Sequence, residues 1–337
     1  MGHYPVPKLH RRSRLGRWTV LTYQRVGTGR PDEGLLLDEI TRAELTDDTS
    51  RLDACLDDVL AHYRSTITAT LRRSPLSATV QKLYGERARA GGRLDRYYGS
   101  DEPLLAVKGS DPVRPSDLHR NLLMVNGRPY RVDYAALVAW LRKRFDPTRL
   151  EPAAITQGDP TDFNIGWTPA GGPVWFDYDT GGLNAVAGEF ANFLWYQFLL
   201  GCWLVPTHNP HAFADHPAGI TTQQFNRPTV SLERGHDRLV IDYQHRPSPA
   251  RRRAIAKYHT ELVQPIATRL SVTDLMDWLR PWLAMRILAV HRLCDMRPTD
   301  AALSVAFLAQ VLDAETTIDS LSGIAPEMPH RTLERKP

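Results

Sequence analysis

Gln157-Gly158-Asp159-Pro160-Thr161-Asp162-Phe163-Asn164-Ile165-Gly166 is followed, after a turn, by Val174-Trp175-Phe176-Asp177-Tyr178-Asp179, and the rest of the chain is read outward from these two segments. An acid and an amide stand five residues apart, and a second acid follows the first by eighteen, at the end of an apolar strand. Gly-Asp-Pro predicts a tight loop. Ile165-Gly-Trp167 then begins a short strand, Thr168 to Pro173 form a hairpin, and Val174-Trp-Phe176 return, bringing Asp177 back beside Asp159 and Asn164. Two carboxylates and an amide oxygen are hard ligands suited to Mg²⁺, which keeps some water and shares a substrate's phosphates. A carboxylate left off the metal can take a proton from an attacking hydroxyl. Phosphoryl transfer needs little beyond positioning and charge neutralisation. The plainer reading is an Asx-rich loop with Asp159 and Asp162 capping turns. The spacing and the flanking strands favour the functional one.

Gly158-Asp159-x4-Asn164, with Asp177 on its apolar strand, resembles the aminoglycoside phosphotransferase and choline kinase branch of the protein-kinase-like fold. There the pattern is His-x-Asp-x4-Asn, followed by an Asp that begins the next loop. The resemblance implies Asp159 as catalytic base and Asn164 and Asp177 as magnesium ligands. It also implies ATP or GTP as donor and a hydroxyl of a small molecule as acceptor. Gly188-Glu189-Phe190-Ala191 resembles the family's Asp-Leu-Ala helix start, with Glu189 as the acid that supports the catalytic loop. Gln157 stands where the family has His, and its amide can still donate and accept hydrogen bonds.

By the same resemblance, Pro5-Val6-Pro7 and Trp18 to Val26 look like strands just before and at the interlobe hinge, with Gln24 and Val26 as the backbone that meets adenine. The family's small lobe normally precedes this point, with its phosphate-covering loop, strand lysine and helix glutamate; here three residues precede Tyr4. Lys82 and Lys108, downstream of the hinge, read as surface lysines. The expected fold class is therefore α+β: a protein-kinase-like large lobe, mainly helical with short β-hairpins, preceded by a remnant of the small β lobe. Residues 1–30 would be that remnant and hinge, 31–322 the helical C-terminal lobe with its catalytic loop at 155–182, and 323–337 a disordered tail. A misplaced start, a separate chain supplying the nucleotide lobe, and a degenerate remnant compete as explanations. The last makes a catalytically impaired binding scaffold or partner subunit the rival to a working phosphotransferase. About 130 residues separate Val26 from Gln157, longer than the family's span. Insertions there, including the Asn126-Gly127 hairpin, shape the acceptor pocket in such enzymes.

Composition sets the frame. A chain of 337 residues, 42% hydrophobic and 24% charged, can bury a sizeable core. Net charge is +4. Residues 1–31 carry seven basic side chains (Lys8, Arg11, Arg12, Arg14, Arg17, Arg25, Arg30) and no acid, which without a nucleic-acid motif reads as a solvated face. No nucleic-acid partner is expected. The three cysteines lie far apart without CxxC spacing, which fits a reducing cytosol and a cytoplasmic location. Phe190 to Val205 is too short and polar to span a bilayer, so no membrane association is expected and a buried helix is.

Strand-like pieces are predicted at Tyr4 to Leu9 and Arg17 to Val26. Helices follow at Thr49 to Arg73, with Leu52, Leu56, Val59, Leu60, Tyr63 and Ile67 inward, and at Leu76 to Tyr84. A hairpin turns at Asn126-Gly127, and a helix runs from Tyr134 to Phe145. The apolar helix covers Val186 to Leu204, a loop Pro206 to Arg227, and a hairpin Thr229 to Tyr243. Three helices close the chain at Ser248–Leu270, Thr273–Met296 and Thr299–Ser320. His208-x2-His211-x4-His216 reads as solvated loop histidines, Arg251-Arg252-Arg253 as an exposed helical face, and Trp195, Trp203, Trp278 and Trp282 as core. No Gly-x-Ser-x-Gly is present.

Overall fold

The structure is a computed structural model that describes residues 4–7, 9–15, 18–23, 34–99, 101–107, 109–120, 122–213, 217–235 and 237–323. Gln24, Val26, Lys108, His216 and the tail beyond Gly323 lie outside these residues. Residues 4–7 are extended and docked: the Pro5 carbonyl accepts from the Trp175 amide at 2.9 Å, and the Tyr4 ring packs edge-on against Tyr63 and Trp175. The first strand comes later than expected. Pro5 and Pro7 lack the N–H a ladder needs, so β1 (Leu9–Leu15) starts beyond them and pairs antiparallel with β2 (Trp18–Tyr23).

β3 (Gly34–Leu35) leads into α1 (Leu36–Thr46), a helix the sequence reading missed because acidic and hydroxyl residues interrupt its Leu36, Leu37, Ile40 stripe. In α2 (Ser50–Thr70) every residue of the expected stripe is buried. It ends before Pro75, and Arg72–Pro75 form β4 instead of a last helical turn. Leu76 to Tyr84 is not a helix either; it holds one 3-10 turn, Leu76–Ala78, and then tight turns. Short helices follow at Gly85–Ala88 and Arg93–Tyr98.

β5 (Leu122–Val125) and β6 (Arg128–Tyr130) make the expected hairpin, with Asn126 and Gly127 both at positive φ. Asp133 caps α3 (Tyr134–Arg144) by accepting from the Ala136 amide at 2.9 Å. Then come β7 (Leu150–Thr156), β8 (Ile165–Thr168), β9 (Gly172–Trp175) and β10 (Gly182–Ala185). The apolar helix begins at Val186 as expected. It is α4 (Val186–Trp195), continued by a π-helix, Tyr196–Leu204, and a last α turn, Val205–His208. Pro206 to Arg227 is not simply a loop: it includes the helix Pro217–Phe225.

β11 (Thr229–Arg234) and β12 (Arg238–Gln244) form the second hairpin, and β12 pairs in parallel with β5, giving the order β11-β12-β5-β6. The closing helices are α5 (Pro249–Tyr258), prolonged through a π segment to Arg269, α6 (Leu275–Ala289) and α7 (Pro298–Leu312). The architecture is mixed α and β, mainly helical, with small separate sheets. Trp195, Trp278 and Trp282 are buried in the core, and half-buried Trp203 donates its indole N–H to Asp300 at 2.8 Å. No helix among the described residues is long and apolar enough to cross a membrane.

Two small sheets position the central loop. β7 lies between β10 and β4, and Thr156, its last residue, pairs with Gly182 at the start of β10. The chain leaves β7 into residues 157–164, runs out and back along β8 and β9, and returns beside its starting point. That closed path sets the two acids side by side.

Candidate active site

Gly158 can be nothing larger. Its φ is +91°, and a Cβ there would press into the Thr180 carbonyl oxygen. Its amide donates to Glu189 Oε2 at 2.9 Å, and the Thr156 hydroxyl donates to the same oxygen at 2.7 Å. Glu189 lies in the first turn of α4 and is wholly buried. Burial pushes its carboxyl up to about 7, against the pull of Thr156, Tyr63 and the Gly158 amide.

Gln157 ties the two acidic segments together. Its Oε1 accepts from the Asp159 amide at 2.6 Å, while its Nε2 donates to the carbonyls of Phe176 and Asp177 at 2.9 and 3.1 Å. Asp159 Oδ1 accepts from Asn192 Nδ2 at 2.6 Å and lies 3.6 Å from Arg286 Nη2. Oδ2 accepts no hydrogen bond among the described residues. Asn164 Nδ2 donates to the Asp159 carbonyl at 2.9 Å, and its Oδ1 is left without a hydrogen bond among those residues. Asp177 adopts a left-handed backbone, φ 44°, ψ 52°. Its carboxyl is pushed up by burial and by the neighbouring Asp179 and Asp159, with Lys82 pulling the other way. Lys82, read as a surface lysine, is half exposed and pairs with Asp179.

Asp159, Asn164 and Asp177 all line one cleft of about 640 Å³, together with Phe163, Arg87 and Arg286. The three residues singled out in the sequence are thus brought together. Asn192 was missed, although it stands one turn after Glu189 on the same helix. Arg286 gave no signal, being one cation inside the apolar run of α6.

The plainer alternative for Asp162 does not hold, and the expectation for Arg251 is corrected. Asp162 does not serve as a turn cap: its side chain is fully buried and paired with Arg251 Nη1 at 2.7 Å. Arg251 is therefore not on an exposed face; it is wholly buried and also donates to Gln197 at 2.7 Å. Of the histidines, His208 is partly buried and bonds Asp300 at 2.8 Å, whereas His211 is exposed. Among the described residues no group of three or more His, Cys, Asp or Glu is placed to hold a metal.

The sequence matches no protein-family profile and no curated protein. Among solved structures it is similar to one titled "Glucosamine kinase (crystal form B)", with a TM-score of 0.41 and 14% identity over 93% of this chain and 67% of that one. A likeness of that degree establishes neither fold nor chemistry for this chain, which stand on its own residues.

Proposed function

We propose that the chain is a phosphotransferase of protein-kinase-like architecture that moves the γ-phosphoryl group of ATP or GTP to a hydroxyl of a small molecule. The observation that carries this reading is the joint opening of Asp159, Asn164 and Asp177 onto one cleft, each with an oxygen that no described residue occupies. Asp159 has Oδ1 held by Asn192, which leaves Oδ2 to accept the acceptor's hydroxyl proton as its oxygen attacks the γ-phosphorus and the nucleoside diphosphate leaves.

The residues also fit Mg²⁺. Asn164 uses its nitrogen on the Asp159 carbonyl and keeps its oxygen free, while the repulsion Asp177 feels from Asp159 and Asp179 is one a cation relieves. With only a carboxylate and an amide from the protein, the ion would share the donor's phosphates and neutralise their charge. Gln157 and Glu189 act by holding the loop in place.

The test is phosphate transfer from Mg²⁺-ATP and Mg²⁺-GTP to a panel of alcohols, followed by ³¹P NMR. Asp159→Ala is expected to lower kcat by about 10²–10⁴-fold. Turnover that is unchanged in this variant would sink the assignment. Failure of the chain to bind either nucleotide at millimolar concentration would support a binding scaffold instead.

A further inference from the structure

The wall of the cleft beside Asp159 carries two guanidinium groups; Asp159 meets one of them, and Asp177, the cleft's other carboxylate, is within ion-pair distance of neither. Arg286, on α6, is 5% exposed, lines the cleft and makes no hydrogen bond among the described residues. Its Nε is sealed from solvent without a partner, and its sole ionic contact among the described residues is Asp159 at 3.6 Å. Arg87 lines the same cleft from the short helix Gly85–Ala88, and no described carboxylate lies within ion-pair distance of it. Its Nη1 donates to the Ala289 carbonyl at 3.0 Å, as does Arg93 Nη1 at 2.8 Å, so the last carbonyl of α6 holds two guanidinium groups in place one turn from Arg286.

The electrostatics point the same way. Arg87 is pushed down to about 10 by burial, then by Arg286 and Arg93. His291, beside them, is pushed down to about 4 by burial, then by His208, Arg286 and Arg93. Clustered cations, one buried and the others partly buried, that raise one another's energy are costly where no carboxylate pairs closely with them, and an anion relieves that cost. Guanidinium forks suit carboxylate and phosphate oxygens.

We infer that Arg87 and Arg286 form a subsite for an anionic group, carboxylate or phosphate monoester, carried by the acceptor alcohol. This rests on the phosphotransfer reading for the acceptor's role. It gives the substrate a class: a hydroxy acid or a phosphorylated alcohol, with its hydroxyl at Asp159 and its anion on the arginines.

The anion alone provides the first test. Sodium phosphate and sodium acetate are titrated into the nucleotide-free, magnesium-free chain and compared with sodium chloride at equal ionic strength. One or both are expected to raise the thermal midpoint by about 2–4 °C beyond chloride, with saturation. Arg87→Gln, checked for native circular dichroism, is expected to remove the difference. The anion that stabilises more tells phosphate from carboxylate. No stabilisation beyond chloride in the wild-type chain overturns the subsite, as does a difference that survives Arg87→Gln in a folded protein.

Transfer assays separate this from the underlying reading. Asp159-dependent transfer to hydroxy acids or phosphorylated alcohols with KM unaffected by Arg87→Gln would leave a phosphotransferase and remove the subsite. Anion binding that Arg87→Gln abolishes, in a chain with no transfer to any alcohol, would keep the subsite and remove the phosphotransferase.

Discussion

Glu189 holds the entry to the central loop by accepting from Gly158 and Thr156 while wholly buried. Its carboxyl titrates near 7 in the folded chain and near 4.5 in the unfolded one. Between these values the unfolded state releases its proton while the folded state keeps it. Stability therefore falls as pH rises from 4.5 to 7 and levels off above, by up to about 3 kcal/mol. Glu189→Gln keeps an acceptor for both donors and removes the titration. Urea unfolding from pH 4.5 to 7.5 should show the wild type losing more stability than the variant over this window; parallel curves would refute it. The acids and amide of the loop were legible in the sequence because they are close along the chain and a hairpin is a local event. Asn192 and Arg286 meet Asp159 only after distant helices pack, and nothing near them in sequence records that contact.

At the scale of elements, the loop is pinned from behind. Arg251 on α5 reaches Asp162 in the loop and Gln197 in the π-helix, so one buried guanidinium joins three segments. Removing one partner of such a pair strands the other. Arg251→Met is expected to cost about 3–5 kcal/mol, and adding Asp162→Asn to recover part of it, as measured by urea unfolding. Full additivity of the two changes would show that the pair is not coupled. In the π-helix the Tyr196 ring lies over Gly201, where a Cβ would collide with it. Tyr196 and Leu200 line the cleft, so the widened turn sits at the site, as π-bulges often do. Helical periodicity gave the start of this helix and its end to within one turn, but could not reveal the change of winding. β4 and β7 were hidden for another reason. Their residues, Arg-Arg-Ser-Pro and Leu-Glu-Pro-Ala-Ala-Ile-Thr, carry little β-propensity, and pairing decides them.

Over the whole molecule, packing is uneven. One continuous core gathers helices from α1 to α7 and the central strands. The β1–β2 hairpin makes few contacts with any other element, and its Arg11, Arg12 and Arg14 are exposed, as expected for a solvated face. Segments with few buried contacts open first. Limited trypsin digestion should cut within residues 9–23 and leave a folded body that keeps its thermal midpoint; first cuts inside α2 or α6 would contradict this. The anchored Tyr4 ring, just before the hairpin, should stay with the body only while that cut is fresh.

Asp177 combines a left-handed backbone, a partly desolvated negative charge and two acidic neighbours. Each of these works against the native state when no cation is present, and asparagine suits that backbone and carries no charge. Asp177→Asn is therefore expected to raise the thermal midpoint of the metal-free chain while abolishing magnesium-dependent transfer. A lower midpoint in that variant would show that the strain is absent. On the proposed reading, selection of this protein for heat tolerance would favour a change at Asp177 that removes a magnesium ligand.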